Sequence, residues 1–290
     1  MVCGTMSQSD AIDPVAVLDT ASRKILTPCG DGAMVWRRWG AGPPVVLLHG
    51  GYGSWTHWIR NIAPLAERRM VIAPDMPGLG DSAMPPEPYT AESLASIIAT
   101  GLETVLAGEP PPALIGFSFG AILGGHVAAR LGARITSLTL IGANGFGPPQ
   151  PPMSDLQRAR PDMTQDELTR LQRDNLAMLM FADPAQVDDL AVRLQIANTA
   201  RGRIRSRPIA WTDTLGRVLP AVTVPVDAMW GARDVTAVPY LDERIAMLHR
   251  AQPTARVEIL PGAGHWVQYE AADRFNALLR DRFQNQSWPE

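Results

Sequence analysis

Residues 116–120 read Gly116-Phe117-Ser118-Phe119-Gly120 and stand between an apolar run, 113–117, and an Ala/Gly-rich stretch with helical spacing, 119–131. A strand that turns sharply into a helix has room near the turn only for glycine-sized neighbours. A serine at the apex is held in a strained conformation, with its hydroxyl raised above the sheet. The helix that follows offers backbone N–H groups and a positive dipole end to a developing oxyanion. Five residues alone fit a plain Gly/Ser turn just as well. The strand-to-helix setting and the partners elsewhere in the chain decide for a nucleophile.

Outward from this turn, short β-branched runs alternate with longer helical patterns, which specifies a mostly parallel, doubly wound α/β sheet. Strands are expected at 33–39, 45–49, 70–75, 113–117, 135–142, 226–230 and 256–260. Helices are expected at 90–106, 119–131, 238–248 and 270–283, the first opened by Thr90 with Glu92 in its first turn. The alternation breaks at Gly145-Phe146-Gly147-Pro148-Pro149-Gln150-Pro151-Pro152, a strong hinge signal. Residues 155–215 then read as polar and helical without a strand. The expected organisation is a core of residues 1–144 and 216–290 with a helical cap, or lid, at 145–215.

Serine is a poor nucleophile until a base takes its proton, and that base needs an acid to fix its tautomer. Asp234, in Trp230-Gly231-Ala232-Arg233-Asp234, and His265, in Gly262-Ala263-Gly264-His265-Trp266, both follow strands. They therefore fall at the sheet edge that carries Ser118, where open α/β sheets place their ligands. Ser118, His265 and Asp234 are the candidate nucleophile, base and orienting acid. His49-Gly50-Gly51-Tyr52-Gly53 ends the second strand and can bring a second N–H donor to the oxyanion. Gly51 and Phe119 are the candidate oxyanion donors, with Tyr52 as the alternative to Gly51. His49 is expected to brace this loop. His126 and His249 fall inside helical patterns and are expected to pack there; His57 is less distinct.

Composition bounds the function classes. The 290 residues are 46% hydrophobic and 19% charged, with a net charge of −3, which gives no reason to expect nucleic-acid or acidic-membrane partners. Lys24 is the only lysine among the 26 basic residues, a bias of a GC-rich genome rather than of a function. Cys3 and Cys29 form neither a disulfide framework nor a metal-ligand pattern. There is no signal-peptide pattern and no 18-residue apolar run. A cytoplasmic enzyme with a small-molecule substrate is expected, without metal or organic cofactor.

Taken together, HGGYGSWTHW, APDMPGLGDS, GFSFGA, WGARD and GAGHWVQYE, in this order and spacing, resemble the α/β-hydrolase superfamily from about Ala33 to Phe283. Within it the chain is most similar to carbon–carbon bond hydrolases that cleave ring-fission products of aromatic catabolism. Trp266 directly after the histidine, then Gln268 and Glu270, carries that similarity. Those relatives have a functional arginine in the cap, which Arg193 matches. The resemblance implies substrate contacts from Tyr52, Phe117, Arg193 and Trp266. It also departs: those enzymes often have Asn before the serine and a second Gly after the turn, where this chain has Phe117 and Ala121. An aromatic residue before the serine also resembles simple esterases and cofactor-free perhydrolases. The expected activity is therefore carbon–carbon bond hydrolysis, with carboxylesterase, lactonase or perhydrolase activity as the alternative and a non-catalytic ligand receptor as a third reading. Arg201, Arg203, Arg205 and Arg207, taken as helical, spread around the axis and are expected mostly in solvent.

Overall fold

The structure, a computed structural model, describes residues 13–149 and 156–284. Eight strands form one sheet: β1 (Arg23–Cys29), β2 (Gly32–Trp39), β3 (Pro44–Leu48), β4 (Met70–Pro74), β5 (Ala113–Phe117), β6 (Ser137–Ile141), β7 (Val226–Gly231) and β8 (Arg256–Leu260). Their spatial order is β1-β2-β4-β3-β5-β6-β7-β8. β1 pairs antiparallel with β2, and β2 with β4; every later pairing is parallel.

The helices are α1 (Pro14–Ala21), α2 (Ile62–Ala66), α3 (Ala91–Val105), α4 (Phe119–Leu131), α5 (Gln165–Leu179), α6 (Asp189–Ala200), α7 (Arg207–Ala210), α8 (Thr214–Val218), α9 (Leu241–Ala251), α10 (Val267–Glu270) and α11 (Ala272–Gln284). α3 begins where the sequence places it. Thr90 and Ser93 cap each other's backbone N–H, which satisfies donors that the first helical turn leaves unpaired.

The central strands β3, β4 and β5 are buried along their whole length. Alternate side chains feed two cores, one on each face, as a period of two requires. Val46, Leu48, Ile72 and Leu114 pack on one face with α3 and α4. Val45, Leu47, Val71 and Ile115 pack on the other with Trp58, Trp266 and Phe275.

Several boundaries differ from the sequence reading. β1 is missing from it, because this edge strand is mostly exposed and holds Lys24, Thr27 and Pro28, which blur the apolar alternation. The last expected helix is two helices, α10 and α11, separated at Ala271. The stretch from Arg201 to Ser206 is not helical. Arg201, Arg203 and Arg205 are exposed while Ile204 and Ser206 are buried, the alternation of an extended strap. Gln150, Pro151 and Pro152 of the expected hinge lie outside the described residues. Between β6 and β7 the described residues contain helices and no strand.

Candidate active site

Ser118 stands between β5 and α4 with φ 52° and ψ −112°. A positive φ at a non-glycine residue costs about 1–3 kcal/mol and persists only where packing enforces it. Two glycines make the turn possible. A Cβ on Gly116 would lie 2.2 Å from the Gly120 carbonyl oxygen, and one on Gly120 would lie 2.4 Å from that of Leu48. The Ser118 hydroxyl does not cap α4; it lies 2.9 Å from His265 Nε2.

His265 and Asp234 come from the loops after β8 and β7. His265 Nδ1 lies 2.8 Å from Asp234 Oδ2. Asp234 is fully buried and His265 is 4% exposed, whereas Ser118 is partly open. Asp234 Oδ1 accepts from the Thr236 N–H at 2.9 Å and the Thr236 hydroxyl at 2.7 Å. Burial alone would raise the carboxyl pKa. The facing imidazole and the two Thr236 donors outweigh that and hold it below the usual carboxylate value. The structure thus joins Ser118, His265 and Asp234 in one hydrogen-bonded chain. Donation by Nδ1–H to Asp234 leaves Nε2 free to accept the Ser118 proton.

The glycine loop after β3 borders the same turn. His49 is buried; its Nδ1–H donates to the Gly50 carbonyl, and its Nε2 accepts from the Met76 N–H at 2.9 Å. It braces the loop. His57 Nδ1 accepts from the Gly50 N–H at 3.2 Å, and burial holds the His57 pKa well below the ordinary histidine value. Tyr52 has φ 53° and is 39% exposed. The position of a Cβ on Gly51 lies 3.7 Å from Phe119 Cβ and 2.2 Å from Ser206 Oγ. The two candidate oxyanion residues are therefore neighbours, with Ser206, at the end of the extended strap, against Gly51.

Of three residues expected to touch substrate, one is turned outward and two are buried in packing beside the site. Arg193 on α6 is exposed. It lines a groove with Asp13, Asp19 and Lys24 in which none of Ser118, Asp234 and His265 takes part. It is therefore not positioned as the anion partner of the site, because its helix turns this face outward. Trp266 is 1% exposed. Its indole N–H donates to the His57 carbonyl at 3.0 Å and its ring stacks on Tyr269 at 4.2 Å, so it is a packing pillar. Phe117 is also 1% exposed and lies beneath the turn, its ring 5.0 Å from the His265 ring; it supports the base from below.

The sequence reading missed Thr236, Ser54 and Asn198, and it missed the tying roles of Glu270 and the Trp266 backbone. Thr236 lies two residues after Asp234, a spacing that lets a hydroxyl fold back on a carboxylate. Glu270 accepts from the N–H groups of Ala182, Asp183 and Gly264 at 2.9, 3.1 and 2.6 Å. It ties the helical stretch to the loop of His265. Ser54 donates to Asn198 Oδ1 at 2.7 Å, and the Trp266 N–H donates to the Met180 carbonyl at 2.8 Å, making two further ties. Nothing in a linear pattern announces such long-range partners.

Residues 45–278 match the description "Alpha/beta hydrolase family". The chain belongs to the alpha/beta hydrolase family. Among its relatives is a 2-hydroxy-6-oxononadienedioate/2-hydroxy-6-oxononatrienedioate hydrolase of Dechloromonas aromatica (strain RCB), 30% identical over 82% of this chain and 85% of the relative. Another is the dihydrolipoyllysine-residue acetyltransferase component of an acetoin cleaving system of Pseudomonas putida, 31% identical over 82% of this chain. The chain spans only 62% of that relative's length. A putative aryl esterase from Burkholderia cenocepacia shares the fold, with a TM-score of 0.73 at 24% identity over 90% of this chain and 98% of the esterase. This alpha/beta hydrolase thus stands close to carbon–carbon bond hydrolases and has the fold of esterases. Among the described residues, no helix is long and apolar enough to cross a membrane.

Proposed function

We propose that this protein hydrolyses a small, partly apolar acyl substrate, with Ser118 as nucleophile, His265 as general base and Asp234 as the acid that orients the base. The supporting observation is the continuous chain from Ser118 Oγ through His265 to Asp234, at 2.9 and 2.8 Å. His265 Nε2 takes the hydroxyl proton as Ser118 Oγ attacks the carbonyl carbon. Asp234 stabilises the imidazolium that forms. The N–H groups of Phe119 and Gly51 receive the oxyanion. His265 then returns the proton to the leaving group, and water repeats the sequence to release the acid. The described residues of 145–215 serve as a lid. The strap at Ser206 over Gly51 and the ties through Glu270, Trp266 and Asn198 support that role.

Within this reading, a neutral carboxylic ester or lactone is the favoured substrate class. A ring-fission dienoate carries a carboxylate, and burying that anion without a partner is costly. Arg193 faces outward, Arg201 is paired with Asp81 at 2.8 Å, and Arg203 donates to the Gly80 and Ser82 carbonyls. Dienoate hydrolysis is the second reading, favoured by the 30% identity to the Dechloromonas hydrolase. The test is side-by-side kinetics on p-nitrophenyl esters and a 2-hydroxy-6-oxo-dienoate, each with Arg193→Ala. Ester turnover unaffected by the substitution, with poor dienoate turnover, is expected. Efficient dienoate turnover that collapses in Arg193→Ala would reverse the order of the two readings.

A further inference from the structure

The side chains behind Asp234 form a second chain that the proposed chemistry does not use. Thr236 Oγ1 lies 2.7 Å from Asp234 Oδ1 and 3.1 Å from His265 Nδ1. Asn144 Nδ2 donates to the same Thr236 oxygen at 3.3 Å, and Arg244 Nη1 donates to Asn144 Oδ1 at 2.8 Å. Thr236 is 8% and Arg244 3% exposed. Three elements supply these groups: the loop after β6, the loop after β7, and α9.

We propose that Arg244, Asn144 and Thr236 act as a positioning relay for the base. The relay fixes the Thr236 hydroxyl so that it donates to Asp234 and sets how firmly the carboxylate holds the imidazolium. This rests on the reading of Ser118, His265 and Asp234 as the catalytic chain.

The hydrogen-bond directions are internally consistent. Arg244 has only donors, so the Asn144 carbonyl must face it and the Asn144 amide must face Thr236. The Thr236 oxygen accepts from that amide, and its own proton is left for Asp234. With two donors from Thr236 on Oδ1, Asp234 meets His265 through Oδ2. Buried groups satisfied in this way keep one geometry, whereas a half-satisfied network does not.

The relay also carries charge. Burial lowers the Arg244 pKa, and the field of Asp234 opposes that change. A positive group behind the carboxylate, together with a hydroxyl donor, spreads the negative charge that faces His265. Among the described residues His57 also acts on this pair, and burial holds its pKa well below the ordinary histidine value; the Glu270 carboxylate meets the loop of His265 at the Gly264 backbone. Removing a donor concentrates charge on Oδ2, so the imidazolium is held more firmly and the free base appears at higher pH. The acid limb of the activity profile must therefore move up.

The test measures the rate of inactivation by a fluorophosphonate against pH, so no natural substrate is needed. The reagent forms an O–P bond at Ser118, fluoride leaves, and His265 takes the proton. Thr236→Val keeps the shape and removes the hydroxyl; Thr236→Ser restores it. Arg244→Gln removes the charge. We expect Thr236→Val to react about tenfold more slowly, with its acid limb moved up by about half to one pH unit. Thr236→Ser should stay within about twofold of the parent, and Arg244→Gln should move the limb in the same direction. A folded Thr236→Val with the parent profile, or a Thr236→Ser as impaired as Thr236→Val, would overturn the relay. Should Arg244→Gln fail to fold, the two Thr236 variants decide alone. Failure of the underlying reading looks different: Ser118→Ala would then still be labelled at the parent rate.

Discussion

The Glu270 carboxylate accepts from the backbone N–H of Ala182 at 2.9 Å while also holding the Gly264 N–H at 2.6 Å, one residue before His265. One side chain thus fixes both the helical stretch and the loop that carries the proposed base.

Glu270→Ala leaves three backbone donors without their acceptor. Two of the three, on Ala182 and Gly264, are partly buried, and each costs about 1 kcal/mol when unpaired, whereas the exposed Asp183 N–H turns to water. The expected result is a loss of about 2 kcal/mol in stability and about tenfold in kcat, because His265 loses the anchor beside it. Glu270→Gln keeps one acceptor oxygen and should fall between. Thermal melts and ester kinetics check this, and an Ala variant indistinguishable from the parent in both would show that Glu270 anchors nothing of consequence.

Gly51→Ala tests the contact between the glycine loop and the strap. The new methyl group would lie 2.2 Å from Ser206 Oγ and 2.9 Å from Ser206 Cβ, so one segment must move. Displacing an oxyanion donor costs up to about 10²–10³ in rate when the donor is lost altogether; a loss of about tenfold is expected for a shift. Adding Ser206→Gly removes the obstructing side chain and should recover most of the rate. A double variant as slow as Gly51→Ala alone would contradict this placement.

The chain's stability should fall as pH drops from 7.5 to 5.5. Burial lowers the pKa of both His49 and His57 in the fold. The unfolded chain takes up their protons below about pH 6.5, so it binds more protons than the native state there. Each such histidine removes up to about 1.4 kcal/mol per pH unit below that point. Asp234, also lowered, adds a loss of the same sign only as pH falls below about 3.9. His57→Gln should flatten the fall in melting temperature between pH 6.5 and 5.5. A melting temperature that rises on acidification would run against the sign of this argument.

The central strands were legible because they are buried on both faces and read as unbroken apolar runs. Ser118 follows such a run, and Asp234 and His265 follow β7 and β8, which are poorer in apolar residues but still read as strands, so their shared edge could be inferred before any distance was known. β1 was not legible, since an edge strand with exposed side chains carries little periodicity. The arginines at 201, 203 and 205 misled, because alternate polar residues fit an extended strap as well as a helix. Arg193 and Trp266 failed as substrate contacts for another reason. Which way a helix face turns, and which neighbours close over a side chain, depend on packing between segments far apart in sequence.

The central claim is that Ser118 is the nucleophile, and its most direct test is the kcat/KM of Ser118→Ala on a p-nitrophenyl ester, measured alongside its melting temperature. A hydroxyl that attacks the substrate cannot be replaced by a methyl group without losing the covalent step. The account predicts a loss of at least about 10³-fold with the melting temperature essentially unchanged. A folded Ser118→Ala that turns over the ester at close to the parent rate would contradict it.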